Sequence, residues 1–277
     1  MPLKLMYITN NPDVALIAEA AGVDRIFVDL EYIGKSDRQG GMDTVQSHHT
    51  IEDIAKIRSV LTTSELLVRC NPIHKATDDY CSSREEIDAI IKSGADIIML
   101  PFFKTLEEVK EFVTLVNGRC KTMLLVETPE AVENIDEILN VPGFDYVHIG
   151  LNDLSLGYHM KFMFELLANG TVEMLCNKFK QKGIPYGFGG IASLGKGIIP
   201  AEMIIMEHYR LGSSAAILSR SFCDANSIDN LNQLAHIFNN GLKEIREFEK
   251  TCFSKTSSFF DNEKEIKSIV EKINASN

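Results

Sequence analysis

Short apolar runs recur along the first 222 residues, each followed by a stretch whose apolar positions return at helical spacing. Eight runs stand out: Lys4–Asn10, Arg25–Leu30, Glu65–Cys70, Asp96–Pro101, Thr122–Glu127, Asp145–Gly150, Pro185–Gly190 and Ala215–Ser221. They are short and rich in β-branched residues, the pattern of strands buried on both faces. Helix-like segments fill the gaps at 12–21, 50–61, 83–93, 105–117, 129–139, 171–182 and 200–210. Strand–helix alternation requires parallel pairing, and eight unbroken units predict a closed (β/α)8 TIM barrel over residues 1–225. A doubly wound open sheet is the structural alternative.

Helix punctuation agrees with this pattern. Ser93-Gly94 and Lys182-Gly183 read as helix ends, and Thr105-x-x-Glu108 and Thr128-Pro129 as helix starts. Two departures are predicted. The polar, glycine-rich segment Tyr32–His49 is far longer than a usual βα loop, which suggests a lid or binding loop at the barrel mouth, with plain disorder as the alternative. Past the eighth run, 226–250 carries an apolar stripe at helical spacing (Leu231, Leu234, Ile237, Phe238, Leu242, Ile245), and 262–273 is a second amphipathic stretch. The two exceed what closes a barrel, so residues 226–277 are expected to pack on a neighbouring subunit of a homo-oligomer.

Composition then narrows the function classes. The chain has 277 residues and a net charge of −11, which argues against general nucleic-acid binding. No apolar run approaches a membrane span, and the first residues lack the apolar core of a signal peptide. The six cysteines are scattered without a CxxC pair and read as reduced thiols, so disulfides and zinc sites are not expected and the cytoplasm is the default location.

Candidate chemistry sits at strand ends. Glu127 closes the fifth run and Asp153 follows the sixth. In a barrel these ends form the catalytic mouth. Buried acids are costly unless paired, and a divalent Mg2+ or Mn2+ with waters completing its shell would satisfy both. Asp29-Leu30-Glu31 follows the second run and Arg69 ends the third. Asp29 is expected to orient Arg69 as an ion-pair partner, and Glu31 to hold a metal-bound water or steer a proton. Taken singly, these groups have blander readings: Asp153 as the cap of a helix beginning at Leu154, Arg69 as a plain salt bridge. Their co-occurrence in register favours a site.

The segment Leu124-Leu-Val-Glu-Thr-Pro-Glu-Ala-Val-Glu-Asn-Ile-Asp-Glu-Ile-Leu139, with Val141-Pro-Gly-Phe-Asp-Tyr-Val-His-Ile-Gly-Leu-Asn-Asp-Leu-Ser155, resembles the HpcH/HpaI aldolase and citrate lyase β-subunit family. The resemblance spans about residues 3–222, with 124–155 its specific part. It implies that Glu127 and Asp153 bind the divalent metal. It also implies that Arg69, in Val68-Arg69-Cys70-Asn71-Pro72, contacts the substrate oxyanion, and that Gly150, Leu151 and Asn152 line the substrate site. It implies a pyruvate-like oxo acid as substrate, and family members exchange a C-terminal helix between subunits. Two departures limit the carry-over. Tyr32 stands where the aldolases have a proton-transfer histidine, leaving His48 and His49 as candidate loop bases. The arginine- and glycine-rich loop before strand five is replaced by Asn117-Gly-Arg-Cys-Lys121, and no coenzyme A-binding feature is recognisable.

The C-terminal half adds glycine-rich backbone at 186–192 and 194–201, near Lys196 and Arg220. This reads equally as an anion site or as tight turns. His148 is expected to be structural, and His208 to lie at a helix or subunit contact. The leading expectation is a metal-dependent carbon–carbon lyase or aldolase acting on a small 2-oxo acid or its thioester. The alternatives are a phosphoenolpyruvate-utilising barrel enzyme and a non-catalytic oxo-acid-binding relative.

Overall fold

A computed structural model describes residues 1–34, 49–252 and 258–276. The described residues form eight parallel strands that close into a barrel in chain order. These are β1 (Lys4–Ile8), β2 (Arg25–Asp29), β3 (Glu65–Arg69), β4 (Ile97–Leu100), β5 (Lys121–Val126), β6 (Tyr146–Ile149), β7 (Tyr186–Ile191) and β8 (Ala215–Leu218). The predicted (β/α)8 barrel is therefore the observed fold, and the open-sheet alternative falls because β1 pairs with β8.

Strand alternation divides the core into two layers. Met6, Phe27, Leu67, Ile97, Met99, Met123 and Leu125 fill the barrel interior. Their sequence neighbours, such as Ile26, Val28, Leu66, Val68 and Leu124, pack outward under the helices. Asp29, Arg69 and Glu127 stand two residues beyond Phe27, Leu67 and Leu125, so the same alternation turns them inward at the mouth.

The surrounding helices are α1 (Pro12–Ala21), α2 (Ile51–Val60), α3 (Ser83–Lys92), α4 (Leu106–Val116), α5 (Pro129–Glu133), α6 (Ile135–Ile138), α7 (Leu151–Gly157), α8 (Glu165–Ala168), α9 (Thr171–Gln181) and α10 (Ala201–Leu211). The expected starts are present: Thr105 and Glu108 form a reciprocal capping box, and the Thr128 side chain accepts from the Ala131 N–H.

Two helices follow β8: α11 (Leu231–Cys252) and α12 (Phe259–Ser276). The first begins five residues later than the apolar pattern suggested, after a 3-10 turn at Ala225–Ser227. In the single chain the apolar stripe lies on the chain's own barrel. Leu234, Phe238, Leu242 and Ile245 are buried against this chain's own barrel, where α11 lies on α1 and α10, and α12 lies on α10 and α8. Polar anchors fix the arrangement. Glu249 accepts from the Leu3 N–H at 2.7 Å and from Tyr209 Oη at 3.0 Å, and Asn262 Nδ2 donates to Glu207 Oε1 at 2.9 Å. Leu234, Phe238, Leu242 and Ile245 are thus covered in cis, while Leu231 at the start of the stripe is exposed. No described helix is long and apolar enough to cross a membrane.

Candidate active site

The strand ends enclose a cavity of ≈ 610 Å³, lined among others by Asp29, His49, Arg69, Glu127, Gly150, Leu151, Asn152 and Asp153. Asp29 and Arg69 sit opposite each other in the β2–β3 register. Arg69 Nε and Nη2 donate to the two Asp29 oxygens at 2.8 Å each, the bidentate geometry that fixes a guanidinium plane. Arg69 Nη1 lies 3.2 Å from Glu31 Oε2. Burial alone would disfavour its charge, but Asp29 and Glu31 more than reverse this, and the guanidinium is held well above its ordinary pKa. Glu31 is fully buried and lies behind the arginine, outside the cavity lining. Arg69 lies between it and the cavity.

Glu127 is buried, and its Oε1 accepts from the Phe102 N–H at 3.0 Å. Phe102 reaches it from a left-handed backbone, φ 49°, a conformation that costs a bulky residue energy and persists where surrounding structure demands it. Gly150 makes room on the other side, since a Cβ there would stand 2.6 Å from Glu127 Oε2. Gly150 is also the N-cap of α7, which places Asp153 in its first turn. Asp153 therefore does not cap a helix starting at Leu154. Asn152 Nδ2 donates to Asp153 Oδ1 at 3.3 Å.

Two carboxylates on one cavity are a hard-cation donor set, and the absence of a side chain at Gly150 is what lets Glu127 take its place there. No group of three or more His, Cys, Asp or Glu converges among the described residues, so water and substrate oxygens would complete the shell. The residues present fit Mg2+ or Mn2+.

His49 lines the cavity, and its Nδ1 accepts from the Asp29 N–H at 3.0 Å. A backbone amide cannot surrender its proton, so in this hydrogen bond neutral His49 carries its own proton on Nε2. His48 falls outside the described residues. A further support is Asn71, whose Oδ1 accepts from both the Tyr32 and Ile33 N–H groups at 3.0 Å, while its Nδ2 donates to Glu86 Oε1 at 2.8 Å. It pins the turn that carries Glu31. In the sequence Asn71 shows only as part of the Val68-Arg69-Cys70-Asn71-Pro72 motif, with nothing to say that its partner is the Tyr32–Ile33 turn.

The remaining candidates separate. His148 points into the barrel and its ring Nε2 lies 3.2 Å from Gly189 O. Burial pushes it down to about 4. His208 is buried in a flat stack on Phe188, with ring centroids 3.8 Å apart, and burial pushes it down to about 3. Arg220 lines the cavity, whereas Lys196 is exposed outside it.

The model of the HpcH/HpaI aldolase/citrate lyase family matches residues 4–165, more than half of the chain and all of the inner acids with Arg69. The chain belongs to this family. No curated protein matches it in sequence. Among solved structures, the HpcH/HpaI aldolase from Desulfitobacterium hafniense DCB-2 is 20% identical, with TM-score 0.61 over 89% of this chain and 93% of that one. An HpcH/HpaI aldolase/citrate lyase family protein from Burkholderia cenocepacia J2315 is 15% identical, with TM-score 0.62 over 88% and 95%. A variant of the citrate synthase SbnG is 16% identical, with TM-score 0.55 over 89% and 95%. At these identities the structures share the barrel fold. Membership of the HpcH/HpaI family supports an aldolase or lyase activity, in a family that is generally dependent on a divalent metal.

Proposed function

We propose that this HpcH/HpaI protein makes or breaks a carbon–carbon bond next to a small 2-oxo acid, through the enolate of a pyruvate-like group. The observation that carries the reading is the Arg69 guanidinium, clamped by both oxygens of Asp29 and opening on the same cavity as Glu127 and Asp153. A Mg2+ or Mn2+ ion held by Glu127 and Asp153 would supply Lewis-acid stabilisation of charge on the substrate.

The chain's own groups account for the rest. Asp29 and Glu31 hold Arg69 charged and oriented, so it meets developing negative charge on the oxo-acid oxygens without reorganising. Gly150, Leu151 and Asn152 form the floor beside the reacting carbons. His49, with its proton on Nε2, is placed to donate a hydrogen bond to the substrate oxygen at the reacting carbon, and the proton that this oxygen loses on cleavage or gains on bond formation passes to or from solvent water in the open mouth.

Deuterium uptake into the methyl group of pyruvate, followed by NMR with and without Mn2+ or Mg2+, tests the reading because it needs only the enolate half of the site. Metal-dependent exchange that is lost in Glu127→Gln and Asp153→Asn is expected. A wild-type protein that binds Mn2+ but shows no exchange would instead be a non-catalytic oxo-acid-binding relative. Stoichiometric Mn2+ binding by either variant would remove the proposed ligands.

A further inference from the structure

The barrel mouth has two arcs. The ends of β2, β3, β5 and β6 carry Asp29, Arg69, Glu127 and Asp153, and the proposed chemistry occupies that side. The complementary arc, from β7 through β8 to β1, lines the same ≈ 610 Å³ cavity with Gly189, Gly190, Ser219, Arg220, Asn226 and Asn10. A three-carbon oxo acid on the first arc would fill only a small part of a cavity whose size ordinarily encloses much larger ligands.

We propose that the β7–β8–β1 arc is a second subsite, which takes a terminal oxyanion (carboxylate or phosphate) of the other reactant and uses Arg220 as its cation. A guanidinium fork suits both groups, and glycine backbone next to it lets an anion approach closely. The wall is built for this. The β7–β8 ladder shifts register between Gly187 and Gly190, and Gly189 sits in the bulge at φ +51°. The His148 ring holds the Gly189 carbonyl from below at 3.2 Å. No side chain from either glycine covers the arc.

The segment carrying Arg220 is anchored on both sides. Ser219 N donates to Ile191 O at 2.9 Å, Ser193 Oγ to Phe222 O at 2.9 Å, and Tyr7 Oη to Cys223 O at 3.0 Å. Phe238 of α11 packs edge-on against Tyr7 at 4.8 Å and against Phe222 at 5.5 Å. Helix α11 thereby braces the loop that presents the arginine. Asp224 is the acid on the same arc. It supplies a control, because it shares the loop but has the opposite charge.

The identity of the anion's bearer as a second reactant rests on the aldolase reading; the binding test does not. Phosphoglycolate and succinate serve as non-reacting probes, titrated calorimetrically into the wild type, Arg220→Gln and Asp224→Asn. Arg220→Gln is expected to weaken the preferred probe by about tenfold or more, and Asp224→Asn to leave it unchanged or tighter. A larger loss for phosphoglycolate assigns a phosphorylated reactant, and a larger loss for succinate a dicarboxylic one. Equal affinities in wild type and Arg220→Gln overturn the subsite. So do equal losses in both variants, which would report collapse of the loop, and failure of the wild type to bind either probe at millimolar concentration. Arg220-dependent binding in a protein that shows no pyruvate exchange would keep the subsite and sink the aldolase reading.

Discussion

Asp29 and Arg69 lie side by side in the β2–β3 register and share two parallel hydrogen bonds of 2.8 Å each. Asp29 is almost fully buried, so removing it strands a charge rather than erasing an interaction. Asp29→Ala should cost about 3–5 kcal/mol in urea unfolding, less whatever Glu31 recovers. Arg69→Lys keeps the charge but cannot span both oxygens. It should fold and lose about a hundredfold or more in pyruvate exchange. Exchange at the wild-type rate in Arg69→Lys would remove the arginine from the mechanism.

Gly150 tests the proposed metal site without replacing a proposed ligand. A methyl at this position meets Glu127 Oε2 at 2.6 Å and Glu127 Cβ at 2.9 Å. Gly150→Ala must displace the carboxylate. Mn2+ affinity, read by electron paramagnetic resonance, should fall by about tenfold or more while the circular dichroism spectrum stays barrel-like. Undiminished affinity would show that Glu127 does not need that space.

His148 and His208 set a pH dependence of stability. Burial lowers them from 6.5 to about 4 and about 3. Both are therefore neutral in the folded protein while the unfolded chain takes up protons below pH ~6.5. The unfolded state binds more protons in that window, so stability is complete above it and falls as pH drops from about 6.5 towards 4. The loss is of the order of 3 kcal/mol per histidine. Urea midpoints at pH 7.5 and 5 should differ, and the difference should shrink in His148→Gln and in His208→Gln. A pH-independent midpoint in the wild type would contradict the assignment.

Asn71 positions rather than reacts. Its side chain satisfies two backbone N–H groups of the Tyr32–Ile33 turn and is itself tied to buried Glu86. Asn71→Ala leaves those groups unmatched and should cost about 1–3 kcal/mol. Because the turn carries Glu31, which faces Arg69, exchange activity should fall with little change in the pyruvate concentration needed. A variant with wild-type stability and rate would show that the turn holds itself.

His49→Asn separates the two jobs of that residue. An asparagine oxygen can still accept the Asp29 N–H, but it does not extend to where Nε2 sits. The variant should keep wild-type stability and lose about a hundredfold in carbon–carbon bond formation or cleavage. Full turnover in His49→Asn would remove His49 from the chemistry.

The amino-acid sequence by itself determined the barrel and the inward acids. Eight apolar runs alternating with helical periods allow little besides parallel pairing, and a side-chain period of two carries Asp29, Arg69 and Glu127 inward once Phe27, Leu67 and Leu125 fill the interior. Those signals are local, and local patterns survive in one dimension. For 226–277 an apolar stripe records that a partner exists and not which one; within the chain its contacts are α1 and α10. Only the tertiary structure decided the rest: the left-handed Phe102 offering its N–H to Glu127, the space at Gly150, the tautomer that Asp29 imposes on His49, and the choice of Arg220 over Lys196 at the cavity. Each depends on atoms brought together from distant strands or on single backbone torsions, and neither is encoded in any local pattern of polar and apolar residues.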